Sequence, residues 1–231
     1  MSFHDGFTMG MLARGKKIRG LTTELVLDSW YDYAARFGYP TSGWEECLPN
    51  NLTVVDNLAR SIVESGPLLD HCELFQIENY YLKNFSHLYR KAVQLDSAGG
   101  HSLLFLSSPI REARDKGLAE FQNVKTDKKE LLADVVLACR SRGIPILLRP
   151  HPLEDREQLH SAYGHLLDDI VLSKCGVTLL DDLKKARIVL GFCSLALIQA
   201  VEVGKHTISY AKGDLADAFG WKKIGVYDHF G

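Results

Sequence analysis

Two short stretches carry residue types that could handle a phosphate. The first is Arg149-Pro150-His151-Pro152, which follows the apolar run Gly143–Leu148. That run reads as a buried strand. The prolines fix the backbone on either side of His151 and stop the strand from continuing. An imidazole so placed is held at the carboxyl end of a strand, where open parallel α/β sheets bind ligands. The same residues also serve as a plain rigid strand exit.

The second stretch is Val189–Tyr210. Ile188–Leu190 is a β-branched apolar run, and Gly191-Phe192-Cys193-Ser194 follows as a tight turn. Leu195–Val203 has helical composition, Gly204 stands where a helix C-cap belongs, and His206–Tyr210 is the next strand. Ser194 therefore sits where a helix begins. A helix start offers unpaired N–H groups, the positive end of the dipole and here one hydroxyl, which together suit a phosphate. Ser194 reads equally as an ordinary N-cap. On the ligand reading, His151 and Ser194 share one edge of one sheet.

The elements around these residues predict that sheet. Ser102–Leu106 is a strand with Ser107 and Ser108 at its carboxyl end, on the same edge. Asp127–Arg142 is an amphipathic helix, Leu153–Leu167 a charge-rich one, Asp169–Leu172 a strand and Thr178–Ala186 a helix. Asp181 and Asp182 stand near the start of that last helix, where the dipole favours acids. Strand–helix alternation through Tyr210 implies a parallel sheet with right-handed crossovers. Upstream, Glu24–Asp28, Leu52–Val55 and Glu73–Ile77 read as strands, and Asp56 as the cap of a helix over Asn57–Ser65.

RPHP followed by FCSLALIQAVEVGKHTISY resembles the nucleotide-binding half of GT-B glycosyltransferases. The likeness is nearest to bacterial polysialyltransferases, the Kdo transferases of capsule assembly and the CDP-glycerol glycerophosphotransferases. It covers Ser102–Tyr210 most fully. Those enzymes carry a His-Pro motif and a downstream Ser-Ser or Asn-Ser motif that contact a cytidine-nucleotide donor. The resemblance implies donor contacts at Arg149, His151 and Ser194. Cys193 stands where the family often has the first Ser or Asn. Gln199 stands where many GT-B proteins have a ribose-binding Glu, and an amide can still hydrogen-bond a sugar hydroxyl. Ser107-Ser108-Pro109 matches a family Ser-Gln-Pro. His4-Asp5-Gly6 resembles the family's acidic-Gly motif, whose acid is the general base. That makes Asp5 the candidate base, and an Asp-Gly surface turn is the other reading. Asn79-Tyr80-Tyr81-Leu82 resembles the segment that closes the N-terminal domain of the superfamily.

The implied architecture is α/β. Residues 1–78 form an incomplete Rossmann-like N-terminal portion, 79–101 an interdomain linker, and 102–231 the donor-binding Rossmann-like domain. The implied activity is transfer of a sugar or polyol phosphate from a nucleotide-activated donor to a glycan or glycolipid acceptor in surface polysaccharide synthesis. Asp5 and His151 are the catalytic candidates, and Arg149, His151, Ser194, Gln199, Ser107 and Ser108 bind the nucleotide. No metal or other cofactor is required. The alternatives are a nucleotide- or phosphate-binding module without catalysis, a fragment of a larger transferase, and a relative of the non-hydrolysing sugar epimerases.

Composition narrows the field. The chain has 231 residues, 46% hydrophobic and 24% charged, which suits one large or two small globular domains. A net charge of −2 gives no broad basic field for nucleic acid. No apolar run approaches a membrane span, and the N-terminus lacks the pattern of a signal peptide. Five scattered cysteines without a CxxC read as reduced thiols of a cytoplasmic protein. HExxH, P-loop, GxGxxG and the Asp-x-Asp of the other main glycosyltransferase fold do not occur. An apolar face left poorly covered in 1–78 is expected to favour self-association.

Overall fold

The computed structural model describes residues 15, 18, 20–27, 37–94, 100–108, 128–152, 154–192 and 194–210. The chain divides into two compact units, Met1–Tyr81 and Leu82–Gly231. Both are built on parallel sheets flanked by helices, the α/β class that the alternation of elements predicts.

In the first unit, β1 (Glu24–Leu27), β2 (Asn51–Val54) and β3 (Glu73–Gln76) pair in that order, all parallel. Helix α1 (Asn57–Glu64) connects β2 to β3, and the Asp56 carboxylate accepts the Ala59 N–H at 2.8 Å. Leu52, Val54, Ala59 and Val63 are buried. Side chains alternate across a strand. The row in register on the face opposite Leu52 runs Val26, Thr53, Phe75, and its two apolar ends are 50% and 41% exposed.

The second unit carries β4 (Ser102–Leu106), β5 (Ile146–Arg149), β6 (Ile170–Leu172), β7 (Ala186–Gly191) and β8 (His206–Ser209). Their order is β6-β5-β4-β7-β8, again all parallel. Counted along the chain this is 3-2-1-4-5, the doubly wound order. Its winding reverses between β4 and β7. The helices are α2 (Tyr80–Gln94), α3 (Lys128–Arg140), α4 (Arg156–Tyr163), α5 (Leu179–Lys185) and α6 (Leu195–Glu202).

Strand β4 shows why these residues make a central strand. Leu103 and Phe105 face a core completed by Leu132, Val135 and Val136 of α3 and by Leu159 and Tyr163 of α4. Leu104 and Leu106 face a second core with Leu183 of α5, Leu197 and Ala200 of α6, and Tyr89 of α2. A parallel sheet must be covered on both faces, so its central strands are apolar throughout.

In the stretch 79–101, read as the interdomain linker, the helix α2 buries Leu82, Ser86 and Tyr89 at helical spacing, and two other elements depart from the predicted bounds for physical causes. Lys205 sits over the Tyr89 ring, 5.3 Å from its centroid. The helix expected over Leu153–Leu167 ends at Tyr163, because Gly164 takes φ 52° and the chain tightens into a 3-10 turn, Gly164–Asp169. The strand expected from Gly143 starts at Ile146. Gly143 has φ 62°, and Pro145 has no N–H for a ladder.

Leu104 is fully buried between β5 and β7. Leu104→Ala is therefore expected to lower unfolding free energy by about 2–5 kcal/mol, read by denaturant titration. A loss below about 1 kcal/mol would show that the second core is not continuous through this strand.

Candidate functional site

Because all five strands of the second sheet run the same way, their exits lie on one edge. β4 is flanked by β5 on one side and β7 on the other. The structure thus brings three predicted segments to the same edge: Ser107-Ser108 after β4, Pro150-His151-Pro152 after β5, and the turn leading to Ser194 after β7. Gly191 ends β7 because α6 passes close above it. A Cβ there would stand 3.1 Å from Leu197 Cδ2 and 3.2 Å from Leu106 Cβ.

Ser194 caps α6, its hydroxyl oxygen accepting the Ala196 N–H at 3.0 Å. Gln199 lies on α6 and is only 6% exposed. Asp5 and Cys193 lie outside the described residues.

Ser107 and Ser108 are buried, each 5% exposed. The Ser107 N–H donates to the Arg149 carbonyl at 3.0 Å, tying the β4 and β5 exits. The Ser107 hydroxyl donates to Glu154 Oε1 at 2.8 Å. Lys128, the first residue of α3, forms an ion pair with the same oxygen and donates to the Ser108 carbonyl at 2.8 Å. Glu154 Oε2 accepts the His151 N–H at 2.7 Å, and the Glu154 N–H donates to the His151 carbonyl at 2.9 Å.

On the other side of β5, Arg149 Nη1 donates to Asp182 Oδ2 at 2.6 Å and to the Val177 carbonyl at 3.1 Å. The Ser173 hydroxyl donates to the same Asp182 oxygen at 2.6 Å. Asp182 is fully buried, and its Oδ1 has no hydrogen-bond partner among the described residues. Asp181 acts as the sequence suggests, closing a capping box with Thr178. The Thr178 hydroxyl, with Lys184 nearby, holds the Asp181 carboxyl below its usual range. Its neighbour Asp182 does something else: it turns inward as the counter-ion of Arg149.

A cleft of about 540 Å³ opens at the exits of β5 and β6. Arg149, His151, Glu154, Asp155, Ser173 and Lys174 are among its walls. Its size lies in the range of small-molecule sites. Its cationic and imidazole groups suit an anion, and its hydroxyl and carboxylates suit the hydroxyls of a sugar. Among the described residues no group of three or more His, Cys, Asp or Glu could hold a metal ion. No described helix is long and apolar enough to cross a membrane.

Sequence reasoning missed Glu154, Lys128, Ser173 and Asp182. Glu154 left one signal, its place three residues after His151 across a proline, the spacing of a turn closed by its own side chain. Lys128 left none, because its contacts are 20 to 26 residues away.

The fold and the edge define a doubly wound α/β unit whose strand exits share one edge. No family model matches the sequence, and no curated protein matches it. Among solved structures, the chain is similar to Thermosulfurimonas dismutans KpsC, a beta Kdo 2,7 transferase. The TM-score is 0.34 and the identity 16%, over 69% of this chain and 64% of that one. It is also similar to POFUT1 in a complex with GDP-fucose, with TM-score 0.30 and 10% identity over 68% of this chain and 56% of that one. The chain thus spans less than two thirds of either structure.

Breaking the Arg149–Asp182 pair takes the counter-ion from the guanidinium and an acceptor from the Ser173 hydroxyl. Removing one partner of a buried pair costs about 3–5 kcal/mol. With Arg149 28% exposed, Asp182→Ala is expected near the lower end. Thermal or denaturant unfolding measures it, and a change within about 0.5 kcal/mol would mean the pair is not structural.

Proposed function

We propose that the chain binds a nucleotide-activated donor at the carboxyl edge of the second sheet and acts as a transferase of GT-B type. The observation that carries this reading is the convergence at that edge. The exits of β4, β5 and β7, bearing Ser107, His151 and Ser194, share the carboxyl edge of a 3-2-1-4-5 sheet, and a ligand-sized cleft opens on that edge at the exits of β5 and β6.

The phosphate of the donor lies against the start of α6, where the Ser194 hydroxyl and the backbone N–H groups face it and His151 adds a ring N–H or positive charge. The nucleoside takes the cleft beyond His151, with Arg149 in its wall. Gln199 is assigned to the ribose, and Ser107 and Ser108 to the lining of the edge. In the reaction an acceptor hydroxyl oxygen bonds to the transferred group. The bond from that group to the nucleoside phosphate breaks, and its electron pair leaves with the phosphate. Asp5 takes the hydroxyl proton. Fixed donors aimed at the departing charge supply the main catalytic effect, and the scheme needs no metal. We assign the donor to the cytidine nucleotides and the acceptor to a glycan or glycolipid of surface polysaccharide synthesis, on the cytoplasmic side of the membrane.

A second reading, a nucleotide- or phosphate-binding module without turnover, is favoured by one observation. The buried carboxylates at the edge, Glu154 and Asp182, are both committed to cations, so neither is available as a base.

Calorimetric titration of CMP, CDP, UMP and UDP tests the site. The backbone donors survive Ser194→Ala, so the loss is that of one hydrogen bond to a charged group, about 1.5–3 kcal/mol. That is about a ten- to hundredfold weakening. His151→Ala is expected to cost a similar factor. Affinity for a diphosphate ester, whose phosphates do not titrate in that window, is expected to rise as pH falls from about 8 to 6, because histidines ordinarily protonate near pH 6.5 and an imidazolium adds charge to the contact. Unchanged affinity in the double variant places the site elsewhere.

Turnover separates the two readings. Hydrolysis of a CMP- or CDP-activated donor that is lost in Asp5→Asn, with binding retained, is the expected outcome for the transferase. An unchanged rate in Asp5→Asn removes Asp5 from the chemistry.

A further inference from the structure

The most constrained residue at the edge is His151, and one side chain imposes most of the constraint. His151 is among the walls of the cleft. Its N–H and its carbonyl are both taken by Glu154, the first by the carboxylate at 2.7 Å and the second by the Glu154 N–H at 2.9 Å. Prolines 150 and 152 restrict the backbone on either side. The other carboxylate oxygen holds Ser107 at the β4 exit and Lys128 at the start of α3. The Glu154 side chain is 2% exposed.

A strand exit alone does not require this. Two prolines already stop β5, and a turn is closed by its backbone hydrogen bond. Burying a carboxylate and an ammonium carries a desolvation cost, and well-packed apolar residues often replace such pairs without loss of stability. What the charged arrangement adds is a fixed position for the three groups that the carboxylate touches. One of them is the backbone N–H of His151, a wall residue of the cleft.

We propose that Glu154 is the positioning residue of the nucleotide site. It holds the His151 backbone, and through it the imidazole, at the height where a phosphate meets it, with Lys128 as the counter-charge that keeps the carboxylate in place. The inference rests on the nucleotide reading of the edge. Glu154 also stands among the walls of the cleft, and a double-mutant cycle separates a direct contact with the ligand, which would be additive with His151, from action through His151.

The test is a double-mutant cycle, which detects residues that act through one another as non-additivity. CDP is titrated calorimetrically into the full chain and into His151→Ala, Glu154→Ala and the double variant. His151→Ala is expected to weaken CDP about tenfold, as the loss of one charge-assisted hydrogen bond implies. Glu154→Ala is expected to weaken it by a similar factor, and the double variant to lie within about twofold of either single one. Ser194→Ala serves as the control. Ser194 sits after β7 and is not among the contacts described for Glu154, so it should keep its full factor in both backgrounds.

Glu154→Gln keeps an oxygen to accept the His151 N–H and should restore most of the His151 effect. The unpaired Lys128 charge it leaves acts on CDP with or without the imidazole, so it cancels in the cycle. With a CDP ester as the probe, whose phosphates do not titrate in that window, the gain in affinity between about pH 8 and pH 6 should vanish in Glu154→Ala and persist in Glu154→Gln. Circular dichroism checks folding. Should Glu154→Ala not fold, Glu154→Asp, whose shorter reach cannot serve both oxygens' partners, takes its place. Full additivity of Glu154 and His151, or an unchanged pH profile in the Glu154 variant, overturns the inference while leaving the nucleotide site standing. A parent chain that fails to bind CDP, CMP, UDP and UMP overturns the nucleotide reading and this inference with it.

Discussion

Every strand of the second sheet runs in the same direction, and that constraint organises the rest of the unit. Parallel neighbours cannot be joined by tight hairpins, so each connection crosses a face of the sheet. The faces are then covered by helices, which is why β4 is apolar at Leu103, Leu104, Phe105 and Leu106 alike. The same constraint sends all carboxyl ends to one edge. Where the winding reverses between β4 and β7, the connections leave toward opposite faces, and the loops part instead of covering each other. The polar residues of this edge converge because of the topology, although they are scattered through the sequence from Ser107 to Ser194.

Holding polar residues on such an edge needs counter-charges. The β5 exit is braced on both sides by ion pairs, Lys128–Glu154 toward β4 and Arg149–Asp182 toward β6. The two are built alike. In each, one carboxylate oxygen takes both a cation and a serine hydroxyl, Ser107 in one and Ser173 in the other. They differ in the second oxygen. Glu154 Oε2 holds the His151 backbone, whereas Asp182 Oδ1 has no partner among the described residues. The first pair is therefore fully satisfied and rigid, and the second carries an unmade hydrogen bond in a buried place, which is costly.

Much of this scaffold is legible in the sequence because its signals are local. Ser102–Leu106 is a strand at the predicted bounds, and Asp56 and Ser194 cap the helices that their types announce. The common edge of His151 and Ser194 followed from parallel alternation alone. Other features resisted for two reasons. In α2 the buried spacing of Leu82, Ser86 and Tyr89 hides among exposed Tyr80, Tyr81 and Leu88, so the apolar stripe blurs. In the ion pairs the partner choice is non-local: Asp182 at a helix start satisfies the dipole rule whether or not an arginine 33 residues away points at it. Propensity and capping fix elements, and only the packed sheet decides which charges meet.

Ser194 shows how one residue can satisfy a structural rule and still remain available for chemistry. As an N-cap, its oxygen accepts the Ala196 N–H. A hydroxyl has a donor as well as lone pairs, so capping uses the oxygen and leaves the hydrogen to turn toward an anion. The amide pulls density from that oxygen, which makes the O–H a better donor, in the cooperative sense of linked hydrogen bonds. Capping and the proposed phosphate contact are therefore compatible in the same serine. Arg149 is a comparable case with a different balance. Its Nη1 is committed to Asp182 and the Val177 carbonyl, while its side chain lines the cleft and stays 28% exposed. A guanidinium carries five donors in a fixed fork, so anchoring one nitrogen orients the others at little further entropic cost. At both positions the structural bond is what would aim the remaining donor.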